Sequence, residues 1–282
     1  MVIFFNVIKK HVRYNVLHIY QIRNILYYCF NCCCFVFYIL IYILIILVIS
    51  TLRLVRYGME GVIKKFKFQT PTSVAVIGAS GSGKTQFIFN ILDNKDKIFE
   101  IQPKGILYCY TEYQEIFDKY KEYVQFFKGV PTKSDLDKFR SKLISRIDKN
   151  PHIILILDDL MLDINIDVCK LITIYSHHNN ISVFLILHNL FFQHKLMRSI
   201  ILSIHYYVIF GIRRDVSQIR YFSNQLFNDK KLCDEFLDLY KETLNTKYGY
   251  LLIELHPGQC YRVAIRQNIF PHEIETVFLP KE

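Results

Sequence analysis

Short apolar runs alternate with amphipathic segments from about residue 62 onwards. Runs of four to six apolar residues between polar or turn-forming residues are typical of strands that are buried on both faces. Such runs predict strands at residues 74–77, 105–110, 153–157, 182–187 and 206–210. Segments with a helical period predict helices at residues 84–92, 112–123, 168–176, 216–227 and 231–243. This alternation favours an α/β fold, with a mostly parallel sheet flanked by helices.

Two local signals predict where further elements begin and turn. Ser134, with Asp137 three residues later, is typical of a capping box and predicts that another helix begins at Ser134. The Pro-Gly pair at 257–258 predicts a hairpin between a strand at 250–253 and a strand at 261–264. Both signals extend the domain towards the end of the chain.

The first 60 residues differ in composition from the rest. They contain no Pro and a single Gly, and no charged residue lies between Arg23 and Arg53. Residues 30–50 are almost entirely apolar, and about 20 apolar residues suffice for a helix that crosses a bilayer. The pattern predicts an N-terminal hydrophobic helix that spans a membrane, although upstream sequence included by a mistaken start site explains the composition equally well. We therefore expect a leader, residues 1–60, followed by one domain, residues 61–282.

Charge and cysteine usage narrow the class of protein. The formal charge of +10 at pH 7 at first suggests a nucleic-acid or membrane-surface partner. Six of the basic residues precede residue 60, so the remainder carries 29 basic and 25 acidic residues, and its overall charge does not argue for nucleic acid. Four cysteines cluster in the leader and four are scattered singly, which favours reduced thiols in an intracellular protein over disulfides or a zinc site.

A phosphate-binding loop is the clearest chemical signal. It joins the first predicted strand to the first predicted helix and reads Gly78-Ala79-Ser80-Gly81-Ser82-Gly83-Lys84-Thr85, with Gln86 next. The glycines let backbone N–H groups turn towards phosphates at a helix N-terminus, where the dipole also favours negative charge. We expect Lys84 to bind the β- and γ-phosphates and the hydroxyl of Thr85 to ligate Mg²⁺. The loop predicts that the chain binds a nucleoside triphosphate.

A second chemical element follows the strand predicted at 153–157. Asp158 and Asp159 come directly after it, and the carboxyl ends of parallel strands meet at the edge where the phosphates lie. We expect Asp158 to hold Mg²⁺ through water and Asp159 to polarise the attacking water, which is the role that separates a hydrolase from a nucleotide kinase. ATP is expected rather than GTP, because the nearest match to an Asn-Lys-x-Asp base-reading motif, at 94–97, lacks the final acid.

An ordered set of short motifs extends from about residue 66 to residue 271. The motifs are Gly81-Ser82-Gly83-Lys84-Thr85, Leu157-Asp158-Asp159-Leu160-Met161, Ser176-His177-His178, Asn189-Leu190-Phe191, Met197-Arg198, Arg214-Asp215, Gln218-Ile219 and Tyr248-Gly249-Tyr250-Leu251-Leu252. In order and spacing they resemble the DNA-packaging ATPases of Polinton (Maverick) elements, which are kin to the poxvirus packaging ATPases and belong to the FtsK–HerA superfamily. The ordered set is much more specific than the phosphate loop alone.

The resemblance implies a RecA-like (ASCE) P-loop NTPase, in which a further strand lies between the phosphate-loop strand and the Asp158 strand. It also implies a homo-oligomeric, hexameric ring that hydrolyses Mg-ATP and pumps double-stranded DNA into a capsid, with capsid or portal-type proteins as partners in the nucleus, cytoplasm or viral factory. In such a ring an arginine from one subunit neutralises charge developing on the γ-phosphate bound by its neighbour. Arg214 and Arg198 are the candidates for this arginine finger; the alternative for each is an ordinary surface or structural arginine.

Three positions depart from the pattern of the family: Ser203 and Arg213 replace the Asn and Pro that relatives tend to carry, and His188 is the third. His188 follows the strand predicted at 182–187, where relatives usually carry the Gln that senses the γ-phosphate. An imidazole has one polar edge where an amide offers donor and acceptor together, so His188 preserves sensing, weakens it or is a core histidine. These departures leave open a nucleotide-binding remnant of a transposon ATPase that no longer turns over. The apolar segment at residues 30–50 leaves open a membrane-anchored NTPase without a DNA role.

Overall fold

The computed structural model describes residues 65–145, 148–191, 195–212, 216–258 and 263–279. The strands within these ranges are β1 (Ser73–Ile77), β2 (Gly105–Tyr110), β3 (Gln125–Lys128), β4 (Ile153–Asp158), β5 (Ile181–Leu187), β6 (Tyr206–Phe210), β7 (Tyr250–Glu254), β8 (Ala264–Gln267) and β9 (Thr276–Phe278). They form one sheet in the order β3-β2-β4-β5-β1-β6-β7-β8-β9. Strands β1 to β6 pair in parallel, and β7 to β9 extend the sheet in antiparallel fashion.

Helices cover both faces of this sheet. In chain order they are α1 (Lys84–Asp93), α2 (Lys95–Ile98), α3 (Lys133–Leu143), α4 (Ile166–Lys170), α5 (Lys195–Leu202), α6 (Val216–Leu226) and α7 (Lys230–Leu244). Helix α4 continues through a π-helical turn, Leu171–Tyr175, into Ser176–His178. Short 3-10 turns lie at Glu115–Tyr120 and Met161–Asp163. The predicted α/β class, with a mostly parallel sheet between layers of helices, is confirmed.

Two hydrophobic cores lie on opposite faces of the sheet. Side chains alternate along a strand with a period of two, so Ala75 and Ile77 of β1 enter one core and Val74 and Val76 enter the other. Helices α3 to α7 contribute to the first core, and α1 and α2 contribute to the second. Every residue of β1, β4, β5 and β6 is buried. This double burial explains why these strands are continuous apolar runs in the sequence.

The order and register of three central strands bring the candidate chemistry to one edge. Strand β5 lies between β1 and β4, as the resemblance implied. The register pairs Ile77 with Leu187 and Asp158 with Ile186. Because the three strands end level, the phosphate loop, the second aspartate and the histidine at the sensor position all leave the sheet at its carboxyl edge.

The predicted N-cap of α3 is wrong by two residues. The cap is Thr132, whose hydroxyl accepts a hydrogen bond from the backbone N–H of Asp135 at 3.3 Å. The carboxylate of Asp135 accepts one from the backbone N–H of Thr132 at 3.0 Å, which completes a capping box. Ser134 and Asp137 have the same spacing, but the backbone is extended at Thr132 and already helical at Ser134.

The helix predicted at 112–123 is also wrong. A 3-10 turn, Glu115–Tyr120, occupies the middle of this segment, and the unpredicted strand β3 follows it. Phe117 is fully buried and stacks on Phe126 of β3, with ring centroids 4.6 Å apart. This contact holds the segment against the edge of the sheet. The apolar pattern missed β3 because the first and last residues of this short edge strand are exposed.

The second strand of the predicted hairpin begins later than expected. Strand β7 pairs with residues 264–266 of β8, and residues 259–262 lie outside the described ranges. Arg266 accounts for this register: its Nε donates to Oε2 of Glu254 at 3.0 Å, and its guanidinium also pairs with Glu275. Glu254 is only 4% exposed, so its carboxylate requires a charged partner at this position of β8.

The leader and the span predicted at 30–50 lie outside the described residues, and the division into residues 1–60 and 61–282 stays a prediction. Among the residues that the structure describes, no helix combines the length and the apolar character needed to cross a bilayer. Cys109, Cys169 and Cys233 are buried as free thiols.

A buried histidine links three segments at the amino edge of the sheet. His152, 1% exposed, precedes β4. Its Nδ1–H donates to the carbonyl oxygen of Ile101 at 2.8 Å, and its Nε2 accepts from the hydroxyl of Ser182 at 2.8 Å. The Ser182 oxygen in turn accepts from the backbone N–H of Thr72 at 3.1 Å. The neutral imidazole satisfies both partners, and burial lowers the pKa of His152 to about 4.

We expect the domain to lose stability as the pH falls from about 6.5 towards about 4. In this range the unfolded chain binds a proton at His152 and the folded chain does not, so the stabilisation is complete above the unfolded pKa and is lost as the pH falls below it. His152 alone is expected to account for about 2 kcal/mol of the loss in the free energy of unfolding between about pH 7 and about pH 4.5. Urea unfolding of the full-length chain in detergent, followed by tyrosine fluorescence, measures it.

Two variants control this measurement. His152→Gln should reduce the pH dependence in part, because burial lowers the pKa of His205 to about 4 as well. The exposed His272 serves as the matched position, and His272→Gln should retain the wild-type dependence. A His152→Gln variant with the full wild-type dependence would show that the buried imidazole is not responsible.

Candidate functional site

The loop between β1 and α1 has the backbone of an anion-binding turn. Gly81 and Gly83 have φ angles of +73° and +105°, in the left-handed region that glycine adopts without steric cost. Helix α1 begins at Lys84, with Gly83 as its N-cap and no side-chain cap. The first backbone N–H groups of the helix lack intrahelical partners, and the helix dipole adds partial positive charge there. These donors suit a phosphate group.

The ammonium group of Lys84 lies inside this loop. Lys84 is 7% exposed, and its Nζ donates to the carbonyl oxygens of Gly78 at 2.8 Å and Ala79 at 3.0 Å. Burial lowers the pKa of Lys84, while the negative charges of Asp159 and Asp158 oppose this change. The positive charge is therefore held at the loop and faces two carboxylates.

Asp158 is the last residue of β4 and is 5% exposed. The hydroxyl of Tyr108 donates to its Oδ2 at 2.7 Å. Burial raises the pKa of Asp158, and the Tyr108 hydrogen bond and the charge of Lys84 oppose this effect. A buried carboxylate whose negative charge is only partly offset is suited to binding a cation.

Asp159 leaves the strand with a left-handed backbone. Its φ angle is +55°, which is uncommon for a residue other than glycine and recurs at functional sites. Its carbonyl oxygen accepts a hydrogen bond from the hydroxyl of Thr111 at 3.2 Å. Its side chain is 45% exposed, so the carboxylate is accessible to water. Asp158 and Asp159 thus differ in environment although they are adjacent in sequence.

His188 connects the second aspartate to the phosphate loop. Its Nε2 lies 2.8 Å from Oδ1 of Asp159, and its Nδ1 lies 3.4 Å from Nζ of Lys84. Because the Lys84 ammonium can only donate, Nδ1 accepts, and we assign the ring proton to Nε2, which donates to Asp159. The His188 side chain is 41% exposed. It is therefore a bridge between two candidate site residues rather than a core histidine.

The donor groups fit a magnesium ion bound to a triphosphate. The hydroxyl of Thr85 and the carboxylate of Asp158 are the oxygen ligands that Mg²⁺ prefers. Within the described ranges, the hydroxyl oxygen of Ser82 is buried without a hydrogen-bond partner, which leaves it able to donate to a phosphate oxygen. Gln86 is exposed, and its Nε2 donates to Oδ1 of Asn90 at 3.0 Å, so its side chain bonds along α1.

The two candidate finger arginines are placed differently. Arg198 is exposed on α5. In the part of the chain that the structure describes, no hydrogen bond or ion pair joins Arg198 to the phosphate loop. Arg214 lies outside the described residues. The role of either arginine stays a prediction.

Sequence reasoning did not find Tyr108 and Thr111, which hold the two aspartates. Both come from the β2 region, because β2 pairs with β4 and places Tyr110 opposite Asp158. One signal was present in the sequence. A tyrosine in a strand buried on both faces requires a partner for its hydroxyl, and a carboxylate at the end of a neighbouring strand can provide it.

Among known proteins, the chain is similar only to proteins found by comparison of solved structures. No family model matches the chain, and no curated protein matches it. The DNA-packaging ATPase B204 from Sulfolobus turreted icosahedral virus is 13% identical, with a TM-score of 0.43 over 75% of this chain and 98% of that one. The cytoplasmic domain of the Thermomonospora curvata type VII secretion ATPase EccC is 12% identical, with a TM-score of 0.38 over 74% of this chain and 26% of that one.

Proposed function

We propose that the chain is an ATPase that moves double-stranded DNA, as in the packaging of a genome into a capsid. The observation that supports the ATPase activity is the bridge from Lys84 through His188 to Asp159 at the carboxyl edge of the sheet. The ammonium of Lys84 lies on one side of the His188 imidazole, and the solvent-accessible carboxylate of Asp159 lies on the other. An ATP γ-phosphate bound at Lys84 would have a proton acceptor beside it.

In the proposed reaction, a water molecule attacks the γ-phosphorus of ATP in line with the bond to the β–γ bridging oxygen. Asp159 accepts the proton of the water as the new P–O bond forms, and the bond to the bridging oxygen breaks to give ADP and phosphate. Lys84 stabilises the negative charge on the β- and γ-phosphates. Thr85 and Asp158 would hold Mg²⁺, which adds positive charge at the phosphates when it is bound.

Double-stranded DNA as the moved polymer is proposed from the ordered motifs that resemble the Polinton packaging ATPases. A homo-oligomeric ring, capsid or portal-type partners and an intracellular location belong to the same proposal. The exposure of Arg198 is compatible with contact to a neighbouring subunit in such a ring.

Two specific observations favour alternative functions. The apolar segment at residues 30–50 favours a membrane-anchored NTPase without a DNA role. The imidazole of His188 at the sensor position favours a nucleotide-binding remnant that no longer turns over. Both alternatives keep the triphosphate site. In the first, hydrolysis drives a process other than DNA movement, and in the second the bound nucleotide is not hydrolysed.

We expect duplex DNA to stimulate ATP hydrolysis by the full-length chain several-fold. In a motor, contact with the polymer is coupled to turnover at the phosphate loop, so phosphate release measured with and without duplex DNA tests the proposal directly. Hydrolysis that is insensitive to DNA in detergent-solubilised protein would favour the membrane-anchored NTPase. ATP binding without hydrolysis under either condition would favour the remnant.

A further inference from the structure

A cleft of about 580 Å³ opens beside the phosphate loop. Gly81, Gly83, Lys84 and Thr85 form one wall, and the rest is formed by further residues of α1 and by residues from β6, β7 and the segments at 246–249 and 268–273. In the sheet order, β6 and β5 lie on opposite sides of β1, so the cleft and His188 lie on different sides of the phosphate-loop strand. The cleft is in the size range of small-molecule sites.

The inner part of the cleft is aromatic. Phe87 of α1 contacts three other rings that line the cleft, with centroid distances of 5.8 Å to Phe210, 4.9 Å to Tyr250 and 5.3 Å to Phe270. All four residues are buried. Edge-to-face contacts of this kind hold the rings in place. The four rings belong to the hydrophobic core that α1 covers.

Tyr248 is the exposed ring at the mouth of this cleft. It is 58% exposed and has a φ angle of +59°. The ring leans on the phosphate loop, since a methyl group placed on Gly83 would lie 3.2 Å from Cδ1 of Tyr248. A large aromatic side chain is thus held in water directly beside the loop, where it buries little surface of its own. Because Tyr248 also lines the cleft, its ring is accessible to a ligand that occupies the cleft.

We propose that the nucleoside of the bound triphosphate occupies this cleft and that its base stacks on Tyr248. The inference rests on the proposed function, because the phosphates must first lie on the loop that forms the shared wall. A ligand held there by its phosphates extends into the cleft, and a nucleobase has the π-face that an exposed tyrosine ring binds.

Lys247 is the group that the base would displace. Its ammonium lies 5.1 Å from the centroid of the Tyr248 ring, and its side chain is exposed. A base stacked on an aromatic side chain contributes more to binding than an exposed cation–π contact contributes to stability. The base therefore outcompetes the lysine for the ring.

The test compares a nucleotide with its phosphates alone. The full-length chain in detergent is titrated calorimetrically with the non-hydrolysable analogue AMPPCP and with inorganic tripolyphosphate, each with Mg²⁺. We expect Tyr248→Leu to raise the Kd for AMPPCP about 10-fold and to leave the Kd for tripolyphosphate within about two-fold of wild type. Tyr248→Phe, which keeps the ring, should bind both ligands like wild type.

The outcomes separate this inference from the proposed function. Lys84→Met should weaken binding of both ligands. If wild type binds both ligands and Tyr248→Leu binds AMPPCP equally well, the nucleoside inference is overturned and the phosphate site stands. If wild type binds neither ligand, the proposed function is overturned and the nucleoside inference with it. Because Tyr248 is exposed, its replacement leaves no core cavity, and an unchanged Tm confirms that the variants are folded.

Discussion

Replacing Lys84 with methionine is expected to raise the Kd for Mg-ATP about 100-fold. Methionine keeps an unbranched stem of similar length but removes the ammonium, which is buried among the carbonyl oxygens of Gly78 and Ala79. Lys84 is the only buried lysine among the described residues that line the site. Its replacement would therefore remove the buried positive charge that contacts a phosphate bound in the loop. Calorimetric titration of the full-length chain measures the change, and hydrolysis at low ATP should fall in parallel.

The matched control is Lys97→Met. Lys97 is exposed on α2 and carries the same charge, so its replacement changes the net charge equally without altering the loop. It should bind Mg-ATP like wild type. If Lys84→Met also bound and hydrolysed Mg-ATP like wild type, residues 78–85 would not be the triphosphate site. The Tm of Lys84→Met should be recorded as well, because the loop carbonyls lose a donor in this variant.

Replacing Asp159 with asparagine should lower kcat by about 100- to 1000-fold while the Kd for Mg-ATP stays within about three-fold of wild type. Asparagine is isosteric and tolerates the left-handed backbone found at this position. Its amide oxygen can still accept the hydrogen bond from Nε2 of His188. The substitution therefore removes the proton acceptor and leaves the local geometry in place. Single-turnover hydrolysis and calorimetric titration separate the two effects.

Asp163→Asn provides the comparison for this variant. Asp163 is exposed in the 3-10 turn that follows β4, close in sequence but apart from the bridge of His188. Its replacement should leave both kcat and Kd unchanged. If Asp159→Asn hydrolysed ATP at the wild-type rate, a group other than Asp159 would accept the proton of the attacking water. A large rise in Kd would instead indicate that Asp159 holds the nucleotide rather than the attacking water.

The buried centre of the fold was predictable from local patterns. Strands β1, β4, β5 and β6 appear as apolar runs because both faces of a parallel strand are covered by other residues. Helix α1 was predicted to within one residue, since the glycines and Lys84 mark where the loop ends and the helix begins. These predictions succeeded because burial and turn geometry constrain residue type at each position.

The periphery of the fold was harder to predict. Strand β3 is an edge strand with exposed ends, so its four residues carry a weak apolar signal. The start of α3 depended on a choice between two capping pairs of the same spacing, which backbone conformation decided in favour of Thr132. The start of β8 followed from the need of the buried Glu254 for Arg266. Each of these features depends on a contact that residue spacing does not encode.

The sequence by itself determined which residues are the candidates for the site, the loop, the lysine and the two aspartates, because these residue types at these spacings are typical of phosphate and magnesium binding. The resemblance implied a strand between β1 and β4, but only the tertiary structure decided which side chains meet there. Inserting β5 between β1 and β4 places His188 between Lys84 and Asp159, and pairing β2 with β4 brings Tyr108 to Asp158. The cleft beside Tyr248 has the same origin, since its walls come from segments that only the sheet order brings together.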